Sequence, residues 1–528
     1  MLILAILLTT VIVPSISHKI LVYIPKMGHS HVNFLGHIAD TLVQAGHDVV
    51  VYTPEYDRRV KTNGTKLART ITRTNNFTLS ADAEHLSDNA WIRNGEDISE
   101  VYYMIAKIAT IQQVVCEGTL SDEKLLARLR AEKFDLGISE VLSCCGFAIF
   151  EKIGLKKYIG AFATNLVPSL TEAFGIDNNP SYVPASFGRS SDLMNYAERL
   201  ENFMSSLITY VIGRMVWRTV VNEPFHKYIR PNFDITETIS KSTFVFVNAD
   251  EFVEFPRPIT HKIVYVGGIA VDKPKPLRKE FRKVMDAAIG GAVLISFGSI
   301  AESKKMTPTI KTAFVHMMRS FPQLSCLYDI QFIWKYEIND DIAEDLPNVL
   351  KSKWIPQNDL LAHPNMRAFV SHGGMNSLTE SVRAGVPIVC IPLFGDQMRN
   401  AKMVEKRHVA VLLDKQNLTA DALVWALKTV LTDDSFLTSS RRLAKMIAKK
   451  PFSVEERIVK YTEFAVEFGH VDNLDPAARK LNFFQYYLID VIVPLVLCLS
   501  LFIYLFVKIV IFIVRKFIFI GSSKSKLD

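Results

Sequence analysis

Ser371 to Ser381 reads SHGGMNSLTES. An apolar run, Met366 to Ser371, leads into it, helical spacing follows from about Asn376 to Arg383, and a second apolar run covers Val386 to Ile391. Strand, helix, strand over so few residues predicts one βαβ unit of a parallel sheet. Ligands of such sheets sit beyond the carboxyl ends of the strands. Gly373 and Gly374 let backbone approach a ligand with no Cβ in the way. A helix N-terminus offers unpaired N–H groups and the positive end of a dipole, which suit an anion. His372, Asn376 and Ser377 add side-chain donors. The same letters also read as ordinary capping, because Ser377-Leu378-Thr379-Glu380 is a capping-box pattern. The eleven residues alone do not decide between these readings.

The same alternation runs through much of the chain. Lys19 to Ile24 predicts a strand, Pro25 to Ser30 a loop, Val32 to Gln44 a helix and Asp48 to Thr53 a second strand. Phe134 to Ser139 predicts a strand ending at Glu140. After the charged, proline-containing stretch Lys273-Pro274-Lys275-Pro276-Leu277-Arg278-Lys279, which reads as a linker, a second series begins. Val293 to Phe297 and Gln331 to Trp334 predict its strands before the corner. The expectation is two α/β halves: 18–271, a linker at 272–281, and 282–485. Ala197 to Trp217 predicts an amphipathic, aromatic-rich helix, either core or a surface against lipid beside an acceptor pocket.

The whole chain has 528 residues, 49% hydrophobic and 22% charged, with a net charge of +7. That length exceeds one ordinary core. Lys and Arg are scattered, which argues against a nucleic-acid groove. Leu2 to Val13 followed by Pro14-Ser15-Ile16-Ser17 predicts a cleaved leader at 1–17. Val491 to Val507 carries no charge and apolar character resumes to Val514, so 486–514 predicts a membrane span. Arg515, Lys516 and the rest of a basic tail at 515–528 follow it. Positive charge beyond the span orients the tail to the cytosol and the preceding chain to the lumen. The ending Lys524-Ser525-Lys526-Leu527-Asp528 resembles dilysine retrieval signals of the endoplasmic reticulum. Asn63, Asn76 and Asn417 head glycosylation sequons. Of the six cysteines, Cys326 and Cys390 read as core. No Cys/His spacing predicts a metal cage.

Around the corner the chain carries Trp354-Ile355-Pro356-Gln357-Asn358-Asp359-Leu360-Leu361 upstream and Leu393-Phe394-Gly395-Asp396-Gln397 downstream. From Trp354 to Asn400 it closely resembles the signature of the UDP-glycosyltransferases, which conjugate sugars to small lipophilic molecules. The resemblance implies two Rossmann-like domains facing a cleft (GT-B type) and a C-terminal membrane helix. It implies that Trp354 stacks on uracil, Gln357 contacts the nucleoside and Glu380 binds the ribose hydroxyls. His372, Gly374, Asn376 and Ser377, with Gly298 and Ser299, would hold the diphosphate. Asp396 and Gln397 would bind the sugar.

The family draws its base from a histidine in the first loop. Its spacing to Gly46-His47 selects His31, with His29 the rival, and the matching carboxylate position is Glu140. The dipole of the helix beginning here is expected to keep the His31 ring neutral. The implied reaction is inverting transfer from a UDP-sugar to a lipophilic hydroxyl, with no metal or other cofactor. Glucuronate is the leaning for the donor and glucose the alternative. Other readings are a catalytically silent sugar-nucleotide-binding membrane protein, or transfer to lipid or protein acceptors. A homo-oligomer is left open.

Overall fold

The computed structural model describes residues 17–74, 90–92, 98–216, 222–323 and 330–524. The predicted leader up to residue 16, Asn76, Cys326 and the last four residues lie outside these. The chain divides into two compact units, Met1–Leu474 and Asp475–Asp528.

The first unit holds two parallel sheets. One has seven strands in the order β3-β2-β1-β4-β5-β6-β7. These are β1 (Lys19–Tyr23), β2 (Asp48–Pro54), β3 (Arg69–Arg73), β4 (Leu136–Glu140), β5 (Tyr158–Phe162), β6 (Val245–Val247) and β7 (Ile263–Tyr265). The other has six, in the order β10-β9-β8-β11-β12-β13. They are β8 (Ala292–Ser296), β9 (Gln331–Lys335), β10 (Val349–Ser352), β11 (Met366–Ser371), β12 (Ile388–Cys390) and β13 (Ala410–Leu412). Strands covered on both faces read as continuous apolar runs rather than alternations. Ala292-Val293-Leu294-Ile295-Ser296 does so, and all of it is buried.

In both sheets the strand order reverses beside the strand that comes first in sequence, between β1 and β4 in one and between β8 and β11 in the other. Such a reversal opens a crevice at the carboxyl edge, because the crossovers leave it in opposite directions. The register pairs Tyr23 with Ser139, which sets the loop after β1 beside Glu140. In the second sheet Ser371 pairs with Ser296, which sets His372 beside Phe297-Gly298. The two predicted motifs therefore occupy equivalent positions in two separate sheets.

Helix α1 (His29–Gln44) begins three residues earlier than the apolar spacing suggested, so His31 lies in its first turn. Phe34, Leu35, Ile38 and Leu42 are fully buried, and each such side chain contributes about 1.5–3 kcal/mol. Within the stretch expected as the linker, 272–281, a helix starts at Lys279. Helix α2 (Tyr196–Val216) settles one alternative: among its residues only Asn202 and Val216 are buried. Leu200, Phe203, Met204, Leu207 and Val211 are exposed, so it is not a core helix. Helix α3 (Met375–Ala384) and helix α4 (Gln397–Lys406) follow β11 and β12. Helix α5 (Val454–Phe468) buries Ile458, Ala465 and Val466 in the core of the front, seven-stranded half.

Two further ties matter below. A disulfide joins Cys116 to Cys145, a pairing nothing in the sequence singled out. Arg399 pairs with Glu254 at 2.6 Å, with both side chains buried. Removing one partner of such a pair costs about 3–5 kcal/mol, because the other is left as an uncompensated charge.

The second unit contains helix α6 (Ile489–Lys524). Its stretch Ile489–Phe517, with mean hydropathy 2.8, is long and apolar enough to cross a bilayer. Its 29 residues rise about 43 Å against a hydrocarbon core of about 30 Å.

Candidate active site

The front wall of the site is a histidine and a carboxylate brought together by the β1–β4 crevice. His31 Nδ1 lies 2.6 Å from Glu140 Oε1. Glu140 is fully buried, and the Ala163 N–H donates to the same oxygen at 3.3 Å. Glu140 Oε2 has no hydrogen-bond partner among the described residues. A buried carboxylate needs a compensating cation, and His31 is placed to become one.

The ring's titration follows from this. Burial works against the imidazolium, but the Glu140 charge and hydrogen bond, with Asp396 adding, outweigh it. The pKa is raised above 6.5. The two carboxylates thus shift the ring in the opposite sense to the one expected of the helix dipole. His29 makes only a long contact with Asn33, at 3.5 Å.

The rear wall is the corner. Helix α3 starts at Met375 with Gly374 as its N-cap and no side-chain cap. The capping-box reading fails for that reason: Ser377 lies inside the first turn rather than ahead of it. The first N–H groups of the helix are left without a side-chain partner of their own, the arrangement that attracts an anion. The His372 ring is clamped between two glycines. A Cβ on Gly374 would come within 2.6 Å of His372 Nε2, and one on Gly298, where φ is 76°, within 2.9 Å of His372 Cε1. Burial and the Lys335 charge push the His372 pKa down to about 4, so the ring is neutral at physiological pH. Ser299 follows Gly298 in the loop after β8.

Gln357 joins two other members of the predicted set. Its Nε2 donates to Glu380 Oε2 at 2.6 Å and to Ser377 Oγ at 3.2 Å. Burial raises the Glu380 pKa to about 7, the Gln357 bond opposes this, and the Asp359 charge adds to it. Trp354 is 62% exposed, with Lys335 Nζ 5.7 Å from its ring centroid. Asp396 is the N-cap residue of α4. Burial raises its pKa, while Asn400, His31 and Arg399 act against the rise. Gln397 turns inward, and its Oε1 accepts from the N–H groups of Leu393 at 2.8 Å and Phe394 at 3.1 Å.

Four residues at the site were not singled out from sequence. Lys335, at the end of β9, donates to Gly298 O at 2.5 Å and stands beside His372. Asn400 Nδ2 donates to Asp396 Oδ2 at 2.8 Å and to Gly373 O at 3.1 Å. Asn165 and Asn248 of the front half reach across to Asn400 and Asn376. Lys335, Asn165 and Asn248 share one signal, a polar residue at or shortly beyond a strand's carboxyl end, which is too frequent to stand out alone, while Asn400 lies inside α4. Of the sequons, Asn417 is exposed and Asn63 half-buried.

Two parallel sheets meeting at their reversal points, one with a histidine–carboxylate pair and one with an open helix end, define a GT-B glycosyltransferase architecture. Solved glycosyltransferases share it. VinC in complex with DTDP superposes with a TM-score of 0.58 at 16% identity, covering 85% of this chain and 100% of that one. A UDP-glucose: anthocyanidin 3-O-glucosyltransferase in complex with UDP gives 0.57 at 15% identity, covering 85% and 99%. The chain belongs to the UDP-glucoronosyl and UDP-glucosyl transferase family, whose profile matches residues 18–524. It is 31% identical over 493 residues to the putative UDP-glucuronosyltransferase ugt-48 of Caenorhabditis elegans, covering 90% of this chain and 91% of that protein. It is likewise 31% identical over 487 residues to UDP-glucosyltransferase 2 of Dactylopius coccus, covering 90% and 89%. It is an enzyme of the glycosyltransferase class.

Proposed function

We propose that the enzyme transfers a hexose, glucuronate or glucose, from its UDP conjugate to a hydroxyl of a small lipophilic acceptor, with inversion. The observation that carries this is the 2.6 Å His31–Glu140 bond, with Asp396 of the rear half acting on the same ring. Glu140 occupies Nδ1, so Nε2 is the nitrogen that takes the acceptor's proton. The acceptor oxygen attacks the anomeric carbon from the face opposite UDP. The bond to the diphosphate oxygen breaks, and UDP leaves with the electron pair. Uncapped α3 and the donors of Asn376 and Ser377 stabilise that charge in place of a metal. Trp354 stacks on uracil, and Glu380 accepts from the ribose. Asp396, with Gln397 bracing the loop and supplying its amide NH₂, binds the sugar. The unit bearing the site lies on the lumenal side of the endoplasmic reticulum. The Cys116–Cys145 disulfide suits an oxidising compartment.

Incubating the full chain with phenols and alcohols, UDP-glucose and UDP-glucuronate in EDTA tests the reading. A β-linked conjugate whose mass names the donor is expected. An α-linked product, or activity that appears only with added manganese, would overturn it.

Glu380 gives a further expectation. A ribose hydroxyl donates to the carboxylate, so binding favours the ionised form. The donor KM should fall as pH rises through about 7, and Glu380→Gln should flatten that dependence. A wild-type donor KM unaffected by pH between roughly 6 and 8 would remove Glu380 from the ribose.

A further inference from the structure

We propose that Asn248, in the front half, is a positioning residue that aims the side-chain amide of Asn376 at the donor's diphosphate. The inference rests on the placement of the diphosphate at α3 given above.

Asn248 follows β6 directly and is 1% exposed. Its Nδ2 donates to Ala163 O at 2.9 Å and to Asn376 Oδ1 at 2.9 Å. A backbone carbonyl can only accept, so Ala163 dictates that this end of the Asn248 amide carries the hydrogens. The atom of Asn376 that meets it must then be the oxygen. The NH₂ of Asn376 is turned to the other side, as the second residue of a helix whose opening N–H groups have no side-chain cap. The carbonyl that decides the matter is itself held, because the Ala163 N–H donates to Glu140. A separate pair repeats the logic. Gly373 O and the Asp396 carboxylate accept from Asn400 Nδ2. Asn400 Oδ1 therefore faces Asn165 Nδ2, at 2.8 Å. There the deciding acceptors belong to the rear half, and the front-half asparagine follows; at Asn376 it is the front half that decides.

The test is the affinity of the full chain, in detergent, for UDP and for uridine, which lacks the diphosphate. In Asn248→Asp the side chain can only accept. Asn376 then turns over and shows its oxygen to the phosphates. UDP affinity is expected to fall about tenfold, the scale of one hydrogen bond to a charged group. Uridine affinity should stay within about twofold, because the lost contact is to phosphate. Asn248→Ala only releases the amide, so about half the molecules face wrongly and the UDP Kd roughly doubles. In an Asn376→Ala background, Asn248→Ala, which adds no charge beside the phosphates, should cost nothing further. Persistence of the cost there, or equal losses of UDP and uridine, would overturn the positioning role. If Asn376→Ala alone leaves UDP affinity unchanged, the placement of the diphosphate fails instead, and this inference with it. Should Asn248→Asp not fold, the Asn248→Ala pair carries the same comparison.

Discussion

His31→Ala is expected to lower kcat by roughly 10²- to 10⁴-fold, the usual contribution of a positioned general base. UDP affinity should stay within about twofold, because the ring faces the acceptor's proton and not the phosphates. The split matters more than the size. His31 lies in the first turn of α1, where its side chain is 21% exposed and belongs to no apolar core, and alanine leaves α1 with a good helix former. A loss shared equally between kcat and donor KM would point to a disturbed cleft and remove the assignment. The same assay on His29→Ala is expected to show near-normal turnover.

Glu140→Gln should act through that ring. The native pKa of His31 is raised above 6.5 by Glu140 and Asp396 against burial. The base works only when neutral, so kcat/KM should rise with pH along an acid limb centred above 6.5. Glutamine removes the first-acting charge while keeping the length. The burial penalty then has less opposing it, and the acid limb moves to lower pH. The plateau should fall by roughly 10²- to 10⁴-fold, because imidazolium formed in the transition state loses its counter-charge and its fixed orientation. Measuring the limb and the plateau separates two roles of Glu140. A lowered plateau with an unmoved limb would mean that Glu140 only props the loop.

What could be read beforehand follows the range of each interaction. The corner at Ser371–Ser381 is a local object, and its strand, glycine pair and helix lie within one βαβ unit. Its helix, expected from about Asn376, starts at Met375, and only the rival capping reading fails. Ser377 to Glu380 satisfies a capping pattern by letter, while α3 begins at Met375 and leaves Gly374 as the cap. The direction of the His31 shift shows the same limit on a larger scale. The dipole of α1 is visible in the chain, but the opposing carboxylates, Glu140 at the end of β4 and Asp396 at the start of α4, arrive from distant parts of it. Glu140 was reached only through the family resemblance, since one acid after one strand carries no mark of its own. Asn165, Asn248 and Lys335 became visible only once the register of two sheets placed them at facing edges. The exposed side of α2 shows the converse: amphipathic spacing located the helix but did not say whether its apolar side meets protein.

The Cys116–Cys145 link has a practical side. Cys145 opens a helix shortly after Glu140, the last residue of β4, and Cys116 sits in the long helix Ile98–Leu120. Chain-entropy reasoning assigns a cross-link spanning 29 residues roughly 3–4 kcal/mol, a large fraction of what holds most folds together. Burial pushes the neighbouring Cys144 thiol up to about 12, so it is a poor nucleophile for restoring a broken bond by exchange. A chain produced in the reducing cytosol of an expression host, or purified in dithiothreitol, starts without this brace beside its own carboxylate. Secretory production and thiol-free buffers are the conditions that match the molecule.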